Sequence, residues 1–198
     1  MGGTTDDAHA GRRGNTRQRI QEVALTLFAE RGYDKTSLRE IAEALDVTKA
    51  ALYYHFKSKE DILVAIYTDQ TRPFDDLVAW AHGQPPTLDA RLEILRRYSQ
   101  ALDAAAPLFR FIHENQGSLR GFSLAESFKE RVGTFGRLLV PAGAVLPDQV
   151  RGLSALYTLH AGVFVMNRHL QGDPEAKRLA VLSVAEELVT AAHRTENQ

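Results

Sequence analysis

The residues best equipped for chemistry lie close together, between Thr48 and His55. Thr48, Lys49, Tyr53, Tyr54 and His55 bring hydroxyls, an ammonium and an imidazole, all able to bond phosphate oxygens or acceptors on base edges. Ala50, among them, is small enough to let the backbone approach, and its methyl suits a thymine methyl. Catalytic alternatives find little support. There is no G-x-S-x-G, no P-loop and no dinucleotide-binding glycine fingerprint. His113-Glu114 begins like a zinc-protease helix, but Gln116-Gly117 stands where the second histidine should follow. His160 and His169 are too far apart in sequence to share a helix face as metal ligands. The chain has no cysteine, which removes disulfides, thiolate zinc and a cysteine nucleophile and fits the cytoplasm. The expectation is a protein that is not an enzyme and has no cofactor and no metal.

The elements that must present this cluster are all helical, since no segment alternates convincingly with strand period. A first helix is expected from about Thr16 to Arg31, with Ile20, Val23, Ala24, Leu27 and Phe28 on one stripe. Gly32 follows it, where a C-terminal cap needs left-handed backbone. Ser37 and Glu40 form a capping-box pattern opening a second helix, whose inward face is Leu38, Ile41, Ala42 and Leu45. The turn Asp46-Val47-Thr48 leads to a third, short helix with Leu52 and Phe56 as its buried pair. Ser58-Lys59-Glu60-Asp61 opens a fourth. Three short helices, two joined by a tight turn, place one small rigid helix on the surface, a shape that fits the B-DNA major groove.

Charge supports the same end of the chain. The total is near zero, at −1. From Arg12 to Lys59, however, ten Lys/Arg face six Asp/Glu, a net of +4. A basic head on an acidic body lets one end meet phosphate while the other avoids it. The segment before it, residues 1–14, is Gly/Thr/Asp/Arg-rich and reads as a disordered tail rather than a signal peptide. Arg12, Arg13 and the run from Asn15 to Arg19 could reach phosphate or simply remain solvated. No stretch is long and apolar enough to span a bilayer, so no membrane partner is expected.

The run Thr36-Ser37-Leu38-Arg39-Glu40-Ile41-Ala42, followed by Val47-Thr48-Lys49-Ala50-Ala51-Leu52-Tyr53-Tyr54-His55-Phe56-Lys57-Ser58-Lys59-Glu60, closely resembles the TetR family of bacterial regulators. The resemblance covers roughly Arg17 to Leu63. It implies that Thr36 and Ser37 touch phosphate, that Thr48, Lys49, Ala50 and Tyr53 face the groove, and that Tyr54 and His55 grip the DNA backbone. Lys59 would meet phosphate from the start of the fourth helix. Asp46 departs from the glycine often found in such turns, but aspartate tolerates positive φ better than most residues.

Beyond the head, proline and glycine punctuation leaves helices near Asp61–Ala81, Leu88–Ala106, Leu108–Asn115, Phe122–Val140, Asp148–Gln171 and Pro174–Arg194. The last two carry wide apolar faces, including Leu153, Leu156, Tyr157, Leu182 and Val189. The resemblance implies that they pair with a twin as a four-helix bundle. It also implies an effector cavity in the aromatic-rich middle, drawn from Phe74, Trp80, Tyr98, Phe109, His113, Phe128, Phe135, His160, Phe164 and Asn167. The expected architecture is therefore all-α, with a disordered tail at 1–14, a helix-turn-helix DNA-binding domain at 15–60, and a ligand-binding and dimerisation domain at 61–198. The expected partners are double-stranded DNA carrying a palindromic operator, a second copy of the chain, and a small apolar or aromatic effector that releases a repressor. An activator of the same architecture, a helical enzyme and a protein-only adaptor are the competing readings.

Overall fold

The computed structural model describes the backbone of residues 5–115, 117–119, 124–163 and 169–194. Among these residues there are helices only: α1 Thr5–Arg31, α2 Leu38–Ala44, α3 Lys49–His55, α4 Lys59–His82, α5 Leu88–Ala104, α6 Ala106–Glu114, α7 Leu124–Leu138, α8 Leu146–Ala161 and α9 Pro174–Arg194. The all-α expectation holds, and α1 begins earlier than Thr16. The chain forms two compact units. One is Met1–Gln70 with Pro107–Gly121; the other is Thr71–Ala106 with Phe122–Gln198. The helix α4 is shared, starting in the first unit and ending in the second. Among the described residues, no helix is long and apolar enough to cross a membrane, and no cluster of three or more metal-ligating side chains occurs.

In the first unit the apolar stripe of α1 points inward, with Ile20, Ala24, Leu27 and Phe28 all buried. Gly32 ends the helix at φ +88, its N–H donating to the Phe28 carbonyl at 3.0 Å. The α2 capping box is present in both directions: Glu40 N–H donates to Ser37 Oγ, and Ser37 N–H to the Glu40 carboxylate. The Ser37 N–H, and after it the Ser37 hydroxyl, donate to the Glu40 carboxylate and hold it below its ordinary pKa. Asp46 makes the α2–α3 turn at φ 53, a left-handed conformation that aspartate tolerates better than most residues. Ser58 caps α4 through the Asp61 N–H, while the Asp61 carboxylate accepts from the Lys57 and Ser58 N–H groups.

The second unit is built on close helix approach. Prolines open α8 and α9, where a missing N–H costs nothing. Its core holds Leu95, Leu102, Leu139, Ala155, Leu156, Ala185, Val189 and Ala192. A β-carbon at Gly152 would stand 2.6 Å from Val140 Cγ1 and 3.1 Å from the Gly136 carbonyl oxygen, so α7 and α8 meet with no room for one. At Gly133, by contrast, the nearest atom is the mobile tip of Arg137 at 3.6 Å.

The contrast gives a test with opposite signs. Alanine is favoured over glycine within a helix by about 1 kcal/mol, so Gly133→Ala should raise the melting temperature. At Gly152 overpacking against a stiff β-branched side chain and a backbone oxygen costs about 1–3 kcal/mol. That exceeds the helical gain, and Gly152→Ala should melt lower. If both variants gain stability alike, the helix contact described here is wrong.

Candidate nucleic-acid interface

The third helix is seven residues long, too short to persist alone. It exists because Leu52 and Phe56 are buried beneath it, at 0% and 2% exposure. Thr48 caps its start by accepting from the Ala51 N–H at 3.1 Å. With that side fixed, the opposite face is delivered to solvent: Thr48, Lys49, Ala50, Tyr53 and Tyr54 are all exposed, and His55 is half-buried. Tyr54 is the most open of the two tyrosines, at 68% against 37% for Tyr53. The Lys49 ammonium lies over the Tyr53 ring, 5.5 Å from its centroid, and the Tyr54 ring meets the His55 imidazole edge-on. This surface presents a cation, hydroxyls and an imidazole with one small gap at Ala50.

Other head residues are placed differently from expectation. Thr36 is 2% exposed, with its hydroxyl turned onto the Gly32 and Leu27 carbonyls at the end of α1. Its side chain is inside the head and offers no hydroxyl to phosphate. Ser37 is exposed, although its hydroxyl is engaged with Glu40. The half-buried Lys59 turns its ammonium onto the Tyr33 and Thr36 carbonyls at 2.9 and 3.5 Å and onto the face of Tyr33. Arg17, expected to reach phosphate or remain solvated, stacks on Phe56 at 4.3 Å and donates to the His55 carbonyl at 3.3 Å.

The far segment of the first unit was not foreseen as part of the head. Phe111 of α6 stacks on Phe28, with centroids 5.8 Å apart, and approaches Tyr33. Ser118 donates to the Asp34 carboxylate at 2.5 Å. Phe109 and His113 belong to this segment too, Phe109 buried and His113 exposed.

In the second unit, five of the expected ligand residues come together. Tyr98 contacts Phe74 and Phe135 edge-on at 5.1 and 4.6 Å. Its hydroxyl is 2.8 Å from His160 Nε2, and Phe128 meets the His160 ring at 4.8 Å. Burial pushes the His160 imidazole down to a pKa of about 4 and raises the Tyr98 phenol, so both are neutral at pH 7. Beside these residues in sequence, Asp75, Val78, Ser127, Glu130, Arg131 and Thr134 line an open cleft of about 390 Å³. Trp80 is not in the cluster; it is half-buried with the Arg97 guanidinium 3.9 Å above its ring. Phe164 and Asn167 lie outside the described residues.

The residues expected at a dimer contact divide by face. Leu153 and Tyr157 of α8 are exposed, at 38% and 57%, as is Val150 at 53%. Leu156 and Val189 are at 0% and Leu182 at 9%. Those three fill the interior of their own chain and are not free to meet a twin.

Comparison with known proteins agrees with this head. Residues 20–66 match the profile of bacterial regulatory proteins, tetR family. The chain is 52% identical over 52 residues to the HTH-type transcriptional regulator AcrR of Shigella flexneri, covering 26% of this chain and 24% of that one. It is 32% identical over 82 residues to the biofilm operon icaADBC HTH-type negative transcriptional regulator IcaR of Staphylococcus epidermidis, covering 41% of this chain and 44% of that one. The matched stretch thus spans less than half the length of either relative. A crystal structure of a TetR/AcrR-family transcriptional regulator from Thermobifida fusca aligns along 88% of this chain and 97% of its own, with a TM-score of 0.57 and 26% identity. The stretch from residue 20 to 66 thus carries the profile of bacterial regulatory proteins of the tetR family, and the described helices follow the architecture of a TetR/AcrR-family structure.

Proposed function

We propose that this chain is a sequence-specific DNA-binding transcriptional regulator, acting as a homodimer on a palindromic operator and released by a small effector. The observation that carries the reading is the exposed face of α3. A short helix held from behind by Leu52 and Phe56 presents Thr48, Lys49, Ala50, Tyr53 and Tyr54 outward. A helix so presented suits the major groove, while its hydroxyls and cation suit phosphate and base acceptors. One head reads only a few base pairs, so useful selectivity requires two heads about one helical turn (~34–36 Å) apart, or a multiple of it. The exposed Val150, Leu153 and Tyr157 stripe on α8 supports pairing with a second copy. In this reading residues 15–60 bind DNA and residues 61–198 sense and dimerise, in the cytoplasm. Repression is the proposed sign, as for IcaR, a negative regulator by name.

The effector site in this proposal is the Phe74, Tyr98, Phe128, Phe135 and His160 cluster. Aromatic walls with a neutral Tyr–His pair suit an uncharged, largely apolar or aromatic molecule needing one or two hydrogen bonds. Release requires that the effector bind more tightly to the conformation that disfavours DNA, since only differential affinity shifts the equilibrium. The continuous helix α4, part of both compact units, is the natural carrier of that change.

The test is selection of duplexes from random sequence, followed by binding of the selected site. It should recover a two-fold symmetric motif with steep salt dependence. Tyr53→Ala should weaken the complex about tenfold or more, the scale of one good base contact. Undiminished affinity in Tyr53→Ala would remove α3 from the groove.

A further inference from the structure

We infer that Arg17 and Lys59 form a two-ended clamp that sets the position of the α2–α3 pair, and that their charges serve this instead of phosphate. The inference rests on the DNA-binding reading above. A seven-residue recognition helix cannot fix its own orientation. Leu52 and Phe56 hold one side of it, but a hydrophobic contact is not directional. Directional bonds occur at the two ends of the pair. At the entry, just before the α2 cap, the Lys59 ammonium from α4 takes the Tyr33 and Thr36 carbonyls, at 2.9 and 3.5 Å. At the exit, the Arg17 guanidinium from α1 takes the His55 carbonyl at 3.3 Å.

Both cations also lie on an aromatic face belonging to the segment they hold. Lys59 is 4.3 Å from the Tyr33 centroid and Arg17 is 4.3 Å from that of Phe56. Tyr33 and Phe56 are buried at 3% and 2% exposure, so each cation is braced against a fixed ring. The Arg17 bond has a further electrostatic logic. The last carbonyls of a helix carry partial negative charge, and a cation there is favourable. The flanking helices α1 and α4 thereby grip opposite ends of the reading element.

A clamp and a phosphate contact make different predictions. A phosphate contact contributes equally to every DNA sequence and steepens the salt dependence by about 0.9 in log–log slope per contact. A clamp contributes chiefly to the sequence that α3 must meet in register. The experiment uses the full chain with a duplex recovered from random sequence by the unaltered protein and a scrambled duplex of equal length. Binding is followed across a salt series for Arg17→Met, Arg17→Lys and Lys59→Met, and hydrogen exchange of the α3 amides is measured without DNA.

The expected result for Arg17→Met and Lys59→Met is about a tenfold loss on the selected duplex, little change on the scrambled one, and an unchanged salt slope. Exchange of the α3 amides should quicken in Arg17→Met. Arg17→Lys, which keeps the charge but not the planar guanidinium, should fail to restore selectivity. Equal losses on both duplexes with a shallower slope would overturn the inference in favour of phosphate contact. A lowered melting temperature with selectivity intact would overturn it in favour of a purely stabilising role. If the unaltered protein prefers neither duplex, the DNA reading fails and takes the selectivity claim with it. Unchanged α3 exchange in Arg17→Met overturns the clamp alone.

Discussion

Phe28→Ala should abolish selective DNA binding while changing no residue on the proposed contact surface. Phe28 is fully buried. It meets Tyr33 edge-on at 5.1 Å and stacks on Phe111 at 5.8 Å, so one ring joins α1, the turn before α2, and α6. Truncating a buried phenylalanine costs about 3–5 kcal/mol, a large part of the roughly 5–15 kcal/mol that holds a domain together. The loss should appear as an earlier unfolding transition by circular dichroism and as failure to shift the selected duplex. Phe111→Ala should reproduce it from a residue distant in sequence. A Phe28→Ala protein with native melting and native affinity would contradict the head core as described.

Acid should loosen the second unit through a single histidine. His160 is held near pKa 4 by burial, against 6.5 for an unfolded chain. Below 6.5 the unfolded chain therefore takes up a proton that the folded chain refuses. Stability from this group is complete above about pH 6.5 and falls as the pH drops toward 4. The loss is about 2 kcal/mol by pH 5 and approaches about 3 kcal/mol below pH 4. Urea midpoints should decline over this window, before most carboxylates titrate. His160→Phe removes the ionisable group and strands the Tyr98 hydroxyl, so it should start lower but stay flatter between pH 6.5 and 5. Parallel profiles for the two proteins would remove His160 as the cause.

Much of this molecule was legible in its sequence where the governing interactions are local. The Ser37–Glu40 capping box, the Gly32 stop and the α3 cap at Thr48 each depend on residues within one or two turns, and each is found where the pattern put it. The same holds for the exposed face of α3, because Leu52 and Phe56 fix which side is turned in. What could not be read depended on distant partners. Thr36 looks like any polar residue before a cap, and only the approach of the α1 carbonyls makes it an interior group. Leu153 and Leu156 are equally apolar neighbours on α8, yet one is exposed and one buried, and only the placement of the other helices around α8 decides which. Phe111 carries no mark in its own helix that it belongs beside Phe28. Trp80, expected to line a cavity with Tyr98, instead meets Arg97, the residue next to Tyr98 on α5 but turned to a different side of the helix.

The grouping of Pro107–Gly121 with Met1–Gln70 bears on how this head can be moved between proteins. A head taken as the contiguous piece ending near Gln70 would leave behind the Phe111 ring that Phe28 and Tyr33 pack against, and the Ser118 hydroxyl that Asp34 accepts from. Its apolar flank would then be open to water. Chimeras that graft the proposed DNA-reading head onto another body must therefore transplant two separate stretches of sequence together, or redesign the surface that the second stretch covers.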